Sequence, residues 1–337
     1  MSKLTQRELA AQLGLSYATV SRVFNGDARV KEPTRRRVLQ EAQRLGFRGH
    51  ALARALRLKK SFGIGVVATN SVHSYWAEVL AAMETRAREA GYHVIICHRE
   101  HDSGSAEQVA FLLDREVDAL VLAPHPTAED PRMLCEAIES GKPLLMLNNR
   151  LPSFPCHYLG TDSRTGSRKA CEYLLELGHR QITFVAGPAG NYTAECRLEG
   201  FRAAMDGAAL SGPVVRMAGW QERDGEEAAD RLLSGTSLPT AILCANDPLA
   251  IGVYLSLRRA GVRIPEQVSL VGYSGVRAGE LLATPLTTMA QPVEELGRRA
   301  AELVLELLEG RHEAWVCEEL PDRLLVRASC APPAAEN

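Results

Sequence analysis

Several things are scarce in this chain of 337 residues. Its eight cysteines, at 97, 135, 156, 171, 196, 244, 317 and 330, include no Cys-x-x-Cys pair. No Cys/His cluster has zinc spacing, so neither a structural zinc site nor a dithiol redox centre is expected. Several of the thiols sit in apolar runs, such as Ile96-Cys97 and Leu243-Cys244, where a thiol behaves as a small hydrophobe. That suits a reducing compartment. No apolar run reaches the length of about 18 residues that a membrane span needs. The polar amino terminus enters a helical pattern directly, without a signal-peptide core. The expectation is a cytoplasmic protein with no membrane partner. Walker A, His-Glu-x-x-His, Ser-x-x-Lys and Gly-x-Ser-x-Gly patterns are absent. Glu318-Glu319 is an adjacent pair and reads as solvated. The Gly63-Ile64-Gly65 stretch lacks a third glycine and leads into a strand, so it reads as strand packing rather than a dinucleotide fingerprint. No enzyme, no metal and no cofactor are expected.

The formal net charge is only −2, but its distribution is uneven. Residues 1–60 hold 14 Lys/Arg against 4 Asp/Glu, and the remainder holds 25 against 37. A small basic module precedes a larger acidic one. Basic modules favour polyanions, and an acidic body resists being wrapped by them. With 46% hydrophobic and 24% charged residues, the chain has the composition of a globular protein with full cores.

Thr5-Gln6-Arg7-Glu8 reads as a capping box. Leu9, Ala10 and Leu13 then form an apolar stripe, stopped by Gly14. Ser16 caps a second helix that turns Val20, Val23 and Phe24 inward and ends at Asn25-Gly26. A third helix starts near Pro33 and carries Val38, Leu39, Ala42 and Leu45. Together these predict a helix-turn-helix bundle. The second helix presents Tyr17, Ala18 and Arg22 outward. Arg22 suits a bidentate contact to guanine in the major groove. Ser16, Thr19, Ser21 and Asn25 suit phosphates.

From Phe62 onward the pattern alternates strand and helix. Strands are expected at 63–68, 92–97, 119–123 and 143–147. Helices are expected at 76–90, 106–115 and 131–140. A second series follows Asp162, with strands at 182–186, 214–217, 241–244 and 269–273. Its helices are at 166–177, 196–205, 225–233 and 248–260, and a last long helix covers 292–309. Two series of similar order predict two doubly wound lobes with a ligand crevice at the strand carboxyl ends.

The stretches "YATVSRVFNG", "VKEPTRRRVLQEAQRLGF", "ALARAL" and "IGVV" resemble the lactose/galactose-repressor (LacI/GalR) family of bacterial transcription factors. So do "HYLGTDSRTGSRKACEYLLELGHRQITFVAGP", "RLEGFRAAM", "PTAILCANDPLAIGV", "IPEQVSLVGYSGV" and "PLTTMAQPVEELGRRA". The likeness runs through nearly the whole chain in order. It implies an all-α helix-turn-helix headpiece (1–49), a hinge helix and linker (50–61), and an α/β core (62–337). The core would be two doubly wound parallel-sheet lobes, like a type I periplasmic binding protein. Its N-lobe would take about 62–161 and 291–322, and its C-lobe about 162–290 and 323–331. The resemblance further implies a homodimer on palindromic double-stranded operator DNA. Leu56 would wedge into the minor groove beside Ala53 and Arg54, as inserted apolar side chains do when they kink a duplex. "HALARALRL" is too short to be a stable free helix, which agrees with ordering on DNA. Gly49-His50 stands where the family often has Pro-Asn. No leucine heptads follow residue 330, so no tetramerising coiled coil is expected.

Carried over residue by residue, the effector crevice would take Tyr75, Trp76, His125, Asn149, Asn191, Thr193, Arg197, Trp220, Asn246, Asp247, Ser274 and Gln291. Arg197 can grip vicinal hydroxyls or a carboxylate. A tryptophan can cover the apolar face of a sugar ring or a base, or can simply pack between lobes. One departure stands out. The family usually has aspartate after Gly-Tyr or Gly-Phe, where this chain has Ser274. Either the ligand differs or Asp247, Asn246 or Asn149 takes over. The reading is an effector-controlled, sequence-specific DNA-binding regulator, a repressor, with a small sugar as the favoured effector. Purines and other polar metabolites are the alternative. A solute-binding receptor would share the two-lobed core but would need a signal peptide and no basic headpiece, and a sugar-processing enzyme, the third option, would show turnover of candidate ligands.

Overall fold

The structure, a computed structural model, describes residues 5–24, 27, 29–45, 60–69, 74–99, 106–123, 130–150 and 155–334. The expected hinge helix at 50–58 lies outside them. The chain divides into two compact units, 1–62 and 63–337.

The first unit is the three-helix bundle. Helix α1 (Gln6–Leu13) starts at the expected capping box. Thr5 N donates to Glu8 Oε2 at 2.7 Å, and Glu8 N donates to Thr5 Oγ1 at 3.3 Å. Gly14 ends the helix at φ 65, a left-handed conformation that glycine adopts without a Cβ clash. Helix α2 (Tyr17–Phe24) begins at Ser16, whose hydroxyl accepts from Thr19 N at 3.0 Å. Helix α3 (Glu32–Arg44) has Pro33 in its first turn. Leu9, Ala10, Leu13, Val20, Val23, Val38 and Ala42 form the core between them. Two arginines brace this bundle. Arg37 donates to Leu13 O at 3.0 Å, and Arg35 to Asp27 O at 2.8 Å.

The second unit holds two six-stranded sheets. In the first, the strands are β1 (Gly63–Thr69), β2 (His93–Arg99), β3 (Ala119–Leu122), β4 (Leu144–Leu147), β5 (His157–Thr161) and β11 (Cys317–Leu320). They lie in the order β11-β5-β4-β3-β1-β2, all parallel. Helices α4 (Ser74–Glu89), α5 (Ala106–Asp114) and α6 (Asp130–Glu139) connect them.

The second sheet has the order β12-β10-β9-β8-β6-β7. Its strands are β6 (Ile182–Ala186), β7 (Val214–Arg216), β8 (Ala241–Cys244), β9 (Ser269–Ser274), β10 (Thr287–Ala290) and β12 (Arg323–Leu325). Only β12 runs antiparallel, against β10. Helices α7 (Ser163–Glu176), α8 (Tyr192–Gly207), α9 (Glu222–Leu233), α10 (Asp247–Arg259) and α11 (Arg277–Glu280) belong with it, while α12 (Val293–Leu308) returns to pack on α4. Strands β3, β4, β6 and β8 are buried at every residue. Continuous apolar runs of this kind mark parallel strands covered on both faces. Helices α9 and α10 meet backbone to backbone: a Cβ at Gly252 would strike Glu222 O, and one at Gly225 would strike Leu249 O.

The chain crosses between the lobes three times, after β5, after β10 and after β11. The crossovers are tied together. Gln291 Nε2 donates to Thr161 Oγ1 at 2.9 Å, and Asp162 N donates to Leu320 O at 2.9 Å. The strands that flank them, β5, β10, β11 and β12, are short and carry polar residues, and the alternating pattern does not announce them.

Candidate functional site

On the headpiece, Ser16, Tyr17, Ala18 and Arg22 are exposed, and Thr19 and Ser21 are half-buried. Tyr17 is 52% exposed although it is a large aromatic, with Arg7 at 5.8 Å from its ring centre. Arg22 forms no ion pair among the described residues. It stands on the outer face of α2, opposite the buried Val20 and Val23. Ser16 is partly committed as the cap of α2. Asn25, Ala53, Arg54, Leu56 and His125 lie outside the described residues.

In the core, Tyr75, Asn149, Thr193 and Arg197 come together from the two lobes. Tyr75 and Trp76 sit at the start of α4, their rings edge to face at 5.3 Å. The Tyr75 hydroxyl accepts from Asn148 Nδ2. Burial pushes the Tyr75 phenol above its ordinary value. Asn148 and Asn149 follow β4 and are buried. From the other lobe, Thr193 near the start of α8 donates to Asn148 O at 2.8 Å and lies 3.3 Å from Asn149 Oδ1. Arg197, one turn further along α8, is 4% exposed. Its Nη1 donates to Ala245 O at 2.6 Å, and its guanidinium lies 3.8 Å over the Tyr273 ring. Trp220 covers Gly187 so closely that a Cβ there would meet its ring.

Backbone strain marks the same place. Asn148 has φ 61 at the end of β4, and Ser274 has φ 122 at the end of β9. Asparagine tolerates the left-handed region, but serine at φ 122 occupies a conformation suited to glycine. Conformations of this kind cost about 1–3 kcal/mol each and cluster at ligand clamps.

Four of the expected contact residues also hold the local structure together. Asn191 caps α8, accepting from Ala194 N at 2.9 Å. Asn246 caps α10 through Leu249 N at 2.8 Å and donates to Trp220 O at 2.9 Å. Gln291 bonds Thr161 across the crossovers. Asp247 is fully buried. Its Oδ1 accepts from the Thr288 hydroxyl at 2.7 Å, and its Oδ2 from Val276 N at 2.7 Å, with Gly275 N also favouring its charge. Of the residues expected to stand in for the missing aspartate at 274, Asp247 and Asn246 both bond within the protein. Asp247 holds the turn that carries Ser274, with each carboxylate oxygen accepting a hydrogen bond from within that segment of the fold.

One residue is new. Asp322, on the third crossover, is 9% exposed and accepts from the Tyr273 hydroxyl. Burial pushes its carboxyl up to about 6, against the opposing pull of the Tyr273 hydroxyl, Arg197 and Thr161. The only signal in the sequence is an acid beside a proline, Pro321-Asp322, between strands of different sheets. Among the described residues there is no group of three or more His, Cys, Asp or Glu side chains that could hold a metal. None of their helices is long and apolar enough to cross a membrane.

Comparison with known proteins agrees with this arrangement. Residues 5–49 match the family described as "Bacterial regulatory proteins, lacI family", and residues 171–330 match "Periplasmic binding protein-like domain". The HTH-type transcriptional repressor PurR of Pasteurella multocida (strain Pm70) is 31% identical over 328 residues, covering 96% of this chain and 98% of that protein. The ribose operon repressor of Escherichia coli (strain K12) is 30% identical, covering 89% and 92%. The crystal structure of the lac repressor dimer bound to operator and the anti-inducer ONPF superposes with a TM-score of 0.87 at 27% identity, covering 98% of this chain and 100% of that one. A reading helix on a basic bundle, two doubly wound lobes and full-length similarity lead to one assignment: this chain belongs to the LacI family of bacterial transcriptional regulators, DNA-binding repressors rather than enzymes.

Proposed function

We propose that this repressor is a cytoplasmic homodimer that binds a palindromic operator and is controlled by a small sugar held between the lobes of its core. The observation that carries the effector reading is the convergence of Tyr75, Asn149, Thr193, Arg197 and the strained Ser274 at facing strand ends. Asn191, Asn246, Asp247 and Gln291 shape this crevice from behind, and Trp76 and Trp220 supply its aromatic surfaces. His125 follows β3 in sequence and is assigned to the same crevice.

On DNA, Arg22 and Tyr17 read base edges in the major groove. Ser16, Thr19, Ser21 and Asn25 contact phosphates, and Ala18 packs against the groove. Leu56, flanked by Ala53 and Arg54, wedges the centre of the operator from both subunits. Effector binding favours one lobe arrangement over another. The hinge segments then fold or melt, and operator affinity follows. This is a population shift whose size equals the effector's differential affinity for the two arrangements.

A sugar is favoured over a purine because the crevice residues include the cationic donor Arg197 and several amide and hydroxyl groups, a mixture that suits hydroxyls. The ribose operon repressor supports that class by its name. A thermal-shift screen of sugars and nucleobases tests the reading, because a ligand selective for the folded core raises its melting temperature. A sugar hit that also changes operator affinity is the expected result. A nucleobase as the sole hit would replace the sugar with the purine alternative.

A further inference from the structure

Helix α8 belongs to the second lobe, yet its first residue, Tyr192, packs on the apolar cluster of the first lobe. Among the described residues it is the one second-lobe side chain that does so. Its ring meets the Tyr158 ring of β5 edge to face, with centres 5.8 Å apart. The Arg150 guanidinium, beyond β4, lies 4.9 Å from the Tyr158 ring centre and 5.1 Å from that of Tyr192. Two residues of β11 complete the surroundings. Arg150 Nη1 donates to Cys317 Sγ at 3.2 Å, and the Tyr192 hydroxyl faces Glu319 Oε1 at 3.5 Å.

The fold makes room for this seat. Tyr158 is 1% exposed, and Gly160 leaves the space its ring fills, because a Cβ there would strike the Tyr158 hydroxyl. Burial pushes the Tyr192 phenol up to about 12, as for a ring partly withdrawn from water. Cation–π contacts strengthen on desolvation, and edge-to-face rings gain beyond the area they bury. The next residue of α8, Thr193, donates to Asn148 O, so two adjacent residues of one lobe grip the segment that follows β4 in the other. The three crossovers are covalent chain and persist at any lobe angle. A ring seated in the opposite lobe shifts against its partners when the lobes rotate. Its contacts therefore favour the arrangement described here over any other, with no ligand involved.

We propose that Tyr192 is a cross-lobe latch, seated against Arg150 and Tyr158, that sets the balance between lobe arrangements in the ligand-free protein. This rests on the reading above that lobe arrangement governs operator affinity. Tyr192 is a positioning residue in this role: it acts through the lobe angle and touches no effector. Arg150 directly follows Asn149, so the latch and the crevice share one short segment, and the effector acts on a bias already built into the fold.

The test uses the full chain without ligand. Fluorescence anisotropy compares operator DNA, selected from random sequence by the parent, with random DNA. The variants are Tyr192→Val, Tyr192→Phe, Arg150→Ala and the Tyr192→Val/Arg150→Ala pair, with Thr193→Val breaking the neighbouring cross-lobe bond. Tyr192→Val and Arg150→Ala each change operator affinity about threefold or more, in the same direction, with random DNA within about twofold. The pair changes it about as much as the larger single variant, because the two residues form one contact. Tyr192→Phe keeps the ring and stays within about twofold of the parent. Tyr192→Phe behaving like Tyr192→Val assigns the effect to the hydroxyl and overturns the latch, as do additive effects in the pair. Equal changes on operator and random DNA mark damage to the headpiece and overturn it too. Unchanged operator affinity in Tyr192→Val and Arg150→Ala, with a shift in Thr193→Val, overturns the latch and leaves lobe coupling standing. No shift in any variant overturns that coupling as well. If Tyr192→Val does not fold, Arg150→Ala against Tyr192→Phe decides on the same terms.

Discussion

Replacing Asp247 by alanine separates shaping the site from touching its ligand. Asp247 is fully buried and takes the Thr288 hydroxyl at 2.7 Å and Val276 N at 2.7 Å, with Gly275 N beside it. Alanine leaves these donors inside the protein without a partner. Each such loss costs about 1–3 kcal/mol. Relief of the buried carboxylate, whose burial pushes its pKa upward, offsets part of that. The net expectation is roughly 3–5 kcal/mol, the range for breaking a buried charged interaction. At roughly 2–4 °C per kcal/mol for a unit of this size, the melting temperature falls by about 10 °C. Guanidinium unfolding, followed by tryptophan fluorescence and calorimetry, measures it. Sugar affinity falls too, because the Ser274-Gly275 turn loses its anchor. Asp247→Asn keeps one acceptor oxygen and loses about half as much stability. If Asp247→Ala were within 1 kcal/mol of the parent yet bound no sugar, the carboxylate would be a ligand contact and this reasoning would be wrong.

Arg22→Ala weakens binding to the selected operator by about 1–3 kcal/mol while binding to random DNA changes little; equal losses on both, measured by anisotropy, would remove Arg22 from base reading. His179 is buried, with its ring nitrogens 3.0 Å from the Thr240 and Ser269 hydroxyls, and burial lowers its pKa below the ordinary 6.5, partly offset by Ala331 O. The folded state therefore binds fewer protons, so this contribution is present above pH 6.5 and is lost as pH falls below it. His179→Gln flattens the stability profile between pH 5 and 7, and an unchanged slope in denaturant titrations would refute the assignment. Gly252→Ala forces α9 from α10 at Glu222 O and costs about 1–3 kcal/mol by calorimetry, with a neutral result contradicting the close packing.

The headpiece was legible because its punctuation is local. Thr5 and Glu8 are three residues apart, and Gly14 and Ser16 sit side by side. The buried runs of β3, β4, β6 and β8 were legible for the same reason. The crossovers were not. Thr161 and Gln291 bond across 130 positions, and Tyr273 and Asp322 across 49. No window of sequence contains both partners. Strand ends also carry two kinds of residue in one place. Asn191 and Asn246 stand where ligand contacts belong in a doubly wound lobe, but the same positions are helix N-caps, where asparagine is strongly preferred. Sequence position alone does not separate a cap from a contact. Asp247 shows the same ambiguity for a carboxylate, and in the structure it is fully buried.

A sugar in the proposed crevice controls DNA binding by the headpiece if the lobes and the operator are coupled. The direct measurement is operator affinity, for a sequence selected from random DNA by the full chain, with and without the sugar that raises the melting temperature of the core. The account predicts a change of tenfold or more in operator affinity, in one direction, with little change on random DNA, and loss of that response in Arg197→Ala. Unchanged operator affinity with the crevice saturated would contradict it.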